Sequence, residues 1–341
     1  MPTPSIPLIG LGLGSLAGFY GPAGSLDDKL SLLTHAHATG LRHWDMADVY
    51  GDAETAVGEW VRRSGKRDEI FIATKFGLQR RADGIHTFRS DPAYVREACE
   101  RSLERLGVDC IDLYYCHRVD GVTPIERTVE AMVELMKEGK IKHIGLSEVS
   151  AATLGRAHAI HPIAALQMEY SLFTLDIEYP NSSSSESILT TARTLNTQLV
   201  AFSPIGRGIL SGSFPTYASL PPNDLRTMYP KYAESNFPAI MQLVRGLEDV
   251  ARGLGEDVKA AQVALAWVLL QGVVVIPGTK DPRRMEENEG AGRVFQLLKG
   301  RWGDVEGLRE LAERVRGGIA GGRYPDAVMA TLCTDTPPLE E

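Results

Sequence analysis

Nowhere do the 341 residues stay apolar for the roughly 18 positions that a membrane-crossing helix needs, so no span is expected. The opening "MPTPSIPLIGLGLG" lacks the basic start of a secretory leader, and a cytoplasmic location is expected. Cysteine is scarce as well. Cys99, Cys110, Cys116 and Cys333 form no CxxC pair and no zinc spacing, which predicts free thiols and no metal centre. His35 and His37 lie two apart in the amphipathic pattern "SLDDKLSLLTHAHATG", a spacing that puts them on different helix faces and argues against shared ligation. Positive charge is lacking too: a net charge of −8 leaves no broad basic face for a nucleic-acid backbone. Asn181 in "NSS" matches a glycosylation acceptor, but without a secretion signal it reads as part of the polar loop "YPNSSSSES".

What is present describes a globular enzyme-sized chain. An apolar content of 43% is enough for a sizeable core, and the length suits a single α/β barrel. Residues 1–323 are expected to form one domain, and 324–341, mixed in Pro, Thr, Asp and Glu, a surface strap or a loosely ordered tail. Short apolar runs alternate with helical patterns: "LIGLGLG" (8–14), "RHWD" (42–45), "IFIATK" (70–75), "IDLYYCH" (111–117), "IKHIGLS" (141–147), "AALQ" (164–167), "LVAFS" (199–203) and "VVVIPG" (273–278). Eight strands spaced by crossover helices predict a (β/α)8 TIM barrel, with an open doubly wound sheet as the competing architecture. Extra helices are expected, among them "GDVEGLRELAERVRGG" after the eighth unit. The long gap after strand seven, from Ser203 to near Asn236, has the length of a lid or binding loop.

"GLGLGSLAG" satisfies GxGxxA through Gly12, Gly14 and Ala17, yet Pro22 and further turn residues follow where a dinucleotide-binding helix would begin. A strand-to-loop turn allowing close backbone approach is the better reading. The stronger signal lies at strand ends. Asp45 closes strand two, Lys75 strand three and His117 strand four, the last on the same side as Ile111, Leu113 and Tyr115. Taken singly, each has an ordinary explanation as turn former, surface lysine or core histidine; together they bring an acid, an amine and an imidazole to the rim where barrels build their chemistry.

In "WDMADVYG" Tyr50 joins them, with two nearby acids that make a phenol harder to ionise. A buried ammonium reverses that, at about 1.4 kcal/mol per pKa unit. Lys75 can supply the cation and Asp45 can keep it charged, while His117 can hydrogen-bond a reacting oxygen. Asp48 and Asp52 read as loop residues before the helix "AETAVGEWVRR".

The blocks "WDMADVYG", "IATK", "DLYYCH", "IGLSE", "LQMEYSLF", "AFSPIGRG" and "IPGTKDPRRMEEN" resemble, in order, those of the aldo-keto reductases, over about residues 5–295. "SPIGRGIL" and "IPGTK" are similar to the branch holding pyridoxal reductases and fungal or plant aldehyde and ketone reductases. The resemblance implies NADP(H) as cofactor, an aldehyde or ketone as substrate, and the tetrad Asp45, Tyr50, Lys75 and His117. A double-bond reductase variant of the family carries Glu where His117 stands, so carbonyl reduction is the implied reaction, reversible to alcohol oxidation.

The resemblance also implies cofactor contacts. Ser147 and Gln167 match residues that hold the nicotinamide carboxamide, and Phe202 the aromatic that stacks on the ring. Ser203, Ile205, Gly206 and Arg207 match the loop near the pyrophosphate. Gly278, Thr279, Lys280, Arg284, Glu287 and Asn288 match the adenine and 2′-phosphate end, with Gly278 replacing a lysine common in the family. Glu148 stands where an Asn is frequent, and an ionised carboxylate can accept from a carboxamide but not donate. Phe19, Tyr20, Trp44, Phe76, Phe88 and Tyr229 are candidate substrate-pocket aromatics. A monomer or weak homo-oligomer is expected. Two alternatives stay open: an NADPH-binding regulatory subunit with incidental turnover, and a barrel isomerase or aldolase with Lys75 as Schiff-base amine.

Overall fold

The computed structural model describes residues 5–18, 21–80, 86–180 and 185–340; Phe19, Tyr20 and Asn181 lie outside them. Eight parallel strands pair in chain order: β1 (Gly10–Gly12), β2 (His43–Asp45), β3 (Phe71–Phe76), β4 (Ile111–Cys116), β5 (Ile141–Ser147), β6 (Ala165–Glu169), β7 (Gln198–Phe202) and β8 (Val274–Val275). Closure comes from the first and last strands, where Val275 N–H donates to Leu8 at 3.0 Å, Gly12 N–H to Pro277 at 3.2 Å, and Ile9 bridges Val275 in parallel. The chain is therefore a (β/α)8 barrel rather than an open sheet.

Strand alternation separates two apolar layers. Ala73, Leu113, Tyr115, Ala165, Val200, Val274 and Ile276 pack together inside the barrel, while Trp44, Ile72, Tyr114, Ile144, Leu166 and Ala201 join the larger core between strands and helices. The inward parity continues upward to Lys75, His117, Gln167 and Phe202, so the rim residues sit one pleat above the barrel's apolar filling. Register sets them side by side: Asp45 pairs with Ala73, Lys75 with Tyr115 and Ser147 with Gln167.

The helices begin and end where local chemistry directs. Ser25 and Asp28 cap helix Leu26–Ala38 reciprocally, and Asp91 accepts from Tyr94 N–H at 3.0 Å ahead of Pro92. Helices Phe237–Leu254 and Trp302–Gly318 occur as the patterns predict. "LIGLGLG" forms only a three-residue strand and then a short 3-10 turn, Leu13–Ala17, with no dinucleotide-binding helix. A hairpin, Leu78–Arg80 with His86–Phe88, is an addition the βα alternation did not suggest. Among the described residues no helix is long and apolar enough to cross a membrane, and no cluster of His, Cys, Asp and Glu could hold a metal ion. His35 and His37 point to separate carboxylates, Glu286 at 3.0 Å and Glu69 at 2.8 Å.

The end of the chain is an ordered strap. Thr334 bridges Val149, Cys333 N–H donates to Glu148 at 2.9 Å, and Arg156 donates to the carbonyls of Thr336 and Pro337 at 2.7 and 2.6 Å. A composition of Pro, Thr and Asp does not reveal this, because the partners lie some 180 residues away.

Inside the barrel, a Cβ on Gly145 would lie 2.4 Å from Cδ1 of Tyr115. Gly145→Ala is therefore expected to destabilise the fold by about 1–3 kcal/mol through overpacking, read from urea or thermal melts. Unchanged stability would show that Tyr115 has room to move.

Candidate active site

Asp45 at the end of β2 and Lys75, one residue before the end of β3, form the floor of the site. Lys75 is fully buried; its ammonium ion-pairs with Asp45 and donates to the Met46 carbonyl at 2.7 Å. It lies 5.4 Å from the centroid of the Tyr50 ring. Tyr50 meets His117 edge-on, with ring centroids 5.9 Å apart at 83°. Gln167, from the opposite side of the barrel, donates to the second Asp45 oxygen at 2.8 Å, so one carboxylate is held from two strands. Burial pulls the Lys75 ammonium below its ordinary value, while Asp45 opposes that by stabilising the charged form. The four residues of the expected tetrad are brought together.

Above them opens a cleft of about 1600 Å³. Tyr50, His117, Ser147, Gln167 and Phe202 line its inner end, and the loop after β7 carries it outward to Thr279, Lys280, Arg284, Glu287 and Asn288. Lys75 does not reach the cleft surface. One end thus presents a phenol and an imidazole, groups able to exchange protons, and the other presents cations beside the start of helix Pro282–Glu289.

The aldo/keto reductase family model matches residues 8–310. Aldo-keto reductase str7 of Strobilurus tenacellus is 47% identical over 97% of this chain and 96% of its own. Aldo-keto reductase yakc [NADP(+)] of Schizosaccharomyces pombe is 39% identical over 98% and 96%. A glycerol dehydrogenase structure from Gluconobacter oxydans superposes with a TM-score of 0.76, at 24% identity over 100% of this chain and 98% of that one, which speaks for the fold alone. The chain belongs to the aldo/keto reductase family. It is an oxidoreductase on that ground.

Several positions that family resemblance points to differ from expectation. The Arg207 guanidinium packs against two touching rings, 4.3 Å from the Tyr229 centroid and 4.8 Å from that of Tyr324, and donates to Glu169 at 3.4 Å. It also lines the cleft, as the resemblance implies, while being oriented by these protein partners. Gly206 is buried, gives its N–H to Ser203 at 2.8 Å and accepts from Tyr232 at 3.2 Å, and so shapes the loop without facing the cleft. Ser203 and Ile205 do line it. Trp44 and Phe76 are core residues: the Trp44 indole donates to Leu41 at 2.9 Å, and Phe76 stacks on Tyr114 at 4.9 Å. Phe88 and Tyr229 reach the cleft.

Gly278 explains its missing side chain. A Cβ there would lie 2.8 Å from the Gly12 carbonyl, and one on Gly12 would lie 2.7 Å from that of Ile276, so the two backbones touch where β1 closes the barrel. No lysine fits. Other cations line the cleft, Arg252 and Lys259 as well as Lys280 and Arg284. Sequence reasoning missed Arg252 and Lys259, which sit at helix ends with no neighbouring motif. It also missed Arg118, which lines the cleft and donates to Ser147 Oγ at 3.2 Å.

Asp48 is less passive than a loop acid. Its Oδ1 is buried without a hydrogen-bond partner among the described residues, and burial, with Glu54 adding to it, pushes the carboxyl up to about 7 from the usual 3.8. A raised folded pKa means stability that is present at acid pH and lost as pH rises through about 7. Asp48→Asn cannot ionise, so its melting temperature should gain on wild type between about pH 4 and pH 8. A constant difference across that range would contradict the assignment.

Proposed function

We propose that the chain reduces an aldehyde or ketone to the alcohol, reversibly, with NADPH as hydride donor and Tyr50 as proton donor. The observation that carries this reading is the Lys75 ammonium buried against the Tyr50 ring while His117 meets the same ring edge-on. The name of the Schizosaccharomyces pombe relative, which prints NADP(+), supports the cofactor. So does the cleft, whose volume and lining suit a dinucleotide phosphate: cations from Lys259, Lys280 and Arg284, and Ser147 and Gln167 as amide-binding groups. When bound, NADPH supplies the hydride that the carbonyl carbon takes up.

The chain's residues do the rest. Tyr50 gives its hydroxyl proton to the carbonyl oxygen as negative charge develops there. Lys75 lowers the cost of the resulting phenolate, and Asp45 together with the Met46 carbonyl keeps the ammonium in place. His117 hydrogen-bonds the same oxygen and aims it at Tyr50. Phe202 offers an aromatic face and Ser147 a hydroxyl to the cofactor's reacting ring. The Schiff-base alternative loses support, because Lys75 is bonded on two sides and does not line the cleft.

Tyr50→Phe should cut kcat with 4-nitrobenzaldehyde by about 10²–10⁴-fold, followed by NADPH absorbance, with the Kd for NADPH changed by less than about twofold. Full activity in this variant would end the proposal. Tight NADPH binding by wild type without turnover on any aldehyde would favour the regulatory reading. Because burial lowers the Lys75 ammonium below 10.5, reduction should decline with rising pH at an apparent pKa under that value, a property of the Tyr50–Lys75 pair. An alkaline limb at or above it would mean that Lys75 does not govern the proton donor.

A further inference from the structure

Glu148 follows Ser147 at the end of β5, with its backbone in the left-handed region at φ 51°. Its side chain is buried and does not line the cleft. The carboxylate accepts from Arg323 at 2.7 and 3.0 Å and from the Glu169 N–H at 3.1 Å. Burial pushes this acid up, but Arg323, with Arg118 and the Glu169 N–H, more than offsets that and brings it down to about 2, so it stays ionised. Its carbonyl meanwhile accepts from Cys333 N–H at 2.9 Å. One residue therefore holds the C-terminal strap at two points, Arg323 and Cys333.

Between those points runs the part of the strap that faces the cleft. Tyr324, Pro325, Val328 and Leu332 all line it, in the same space as Tyr50 and His117. Arg323 reaches further, to Glu169 at 3.4 Å and Asp176 at 3.4 Å, and Glu169 in turn binds Arg207, whose guanidinium rests on Tyr324. The strap, the loop after β7 and the end of β5 are thus joined through buried charge.

We propose that Glu148 is a positioning residue for the substrate and not a contact of the cofactor. By gripping Arg323 and Cys333 it fixes Tyr324–Leu332 as one wall of the carbonyl pocket, and thereby sets selectivity for bulky, apolar, ring-bearing carbonyl compounds. This rests on the carbonyl-reductase reading above. A small aliphatic aldehyde does not need the wall; an aryl aldehyde fills it.

Two variants test this, Arg323→Met and the isosteric Glu148→Gln, each compared with wild type in three measurements. Hydrogen exchange across residues 324–332 should rise about tenfold or more in Arg323→Met and less in Glu148→Gln, whose amide can still accept from Arg323. The KM for naphthaldehyde should rise about tenfold while that for propanal moves less than about threefold. The Kd for NADPH, from tryptophan quenching, should stay within about twofold. A Glu148→Gln protein that binds NADPH more tightly, with naphthaldehyde KM unchanged, would overturn the proposal and make residue 148 a carboxamide contact. So would unchanged exchange in both variants. If Arg323→Met does not fold, Glu148→Gln decides alone. If wild type turns over no carbonyl compound, the functional reading fails separately, and exchange with NADPH affinity still tests the grip on the strap.

Discussion

An ammonium placed inside a barrel is tolerated only if something answers its charge, and most of the active-site architecture follows from how Lys75 is answered. Leaving a buried charge without its partner costs about 3–5 kcal/mol, a large share of a domain's stability. Asp45 must therefore come within contact of Lys75, which requires β2 to end level with the upper part of β3, as the Asp45 to Ala73 register allows. Asp45 in turn is a buried acid whose second oxygen needs a donor, and Gln167 provides it from across the barrel. Three strands are tied at the rim by one charge pair. Tyr50 lies beside the result, its ring centroid 5.4 Å from the Lys75 ammonium.

A second buried ionic system stands beside the first and does a different job. Glu148, Glu169 and Arg323 are all hidden from solvent, and their charges alternate so that each acid meets a guanidinium. Replacing such a set with apolar side chains often costs a protein nothing in stability, so packing alone does not account for it. Charge pairs are directional where apolar contacts are not. A strap that must present particular side chains to a cleft gains from being pinned at defined atoms, and the packing of Arg207 against the Tyr229 and Tyr324 rings extends the same constraint to the loop after β7.

The parts of this arrangement that follow from strand periodicity were legible in the sequence. Parallel strands in register carry residues at equivalent ends to one rim, so Asp45, Lys75 and His117 could be grouped from spacing alone, and eight short apolar runs indicated the barrel. Side-chain direction within loops was not legible. Arg207 of "SPIGRG" does line the cleft, but the residues that orient it, Glu169, Tyr229 and Tyr324, are connected to it by no local pattern. Trp44 and Phe76 illustrate the same limit on strands: each sits next to a rim residue, and the two-residue period that turns Asp45 and Lys75 inward turns them outward into the helix layer. Glu148 looked like a weakened cofactor contact because its partner is 175 positions away.

The closure of the barrel shows how a constraint at one seam redistributes function elsewhere. β1 and the segment after β8 approach so closely at Gly12 and Gly278 that neither position admits a Cβ. That contact seals the sheet but removes the side chain which, in the family pattern, brings positive charge to the adenosine phosphate. Cations do line this end of the cleft, from positions whose backbones are not pressed against a neighbour. Lys280 and Arg284 sit just beyond the seam, and Arg252 and Lys259 approach from helices packed beside it. The glycine is thus less a lost ligand than the consequence of where this barrel closes.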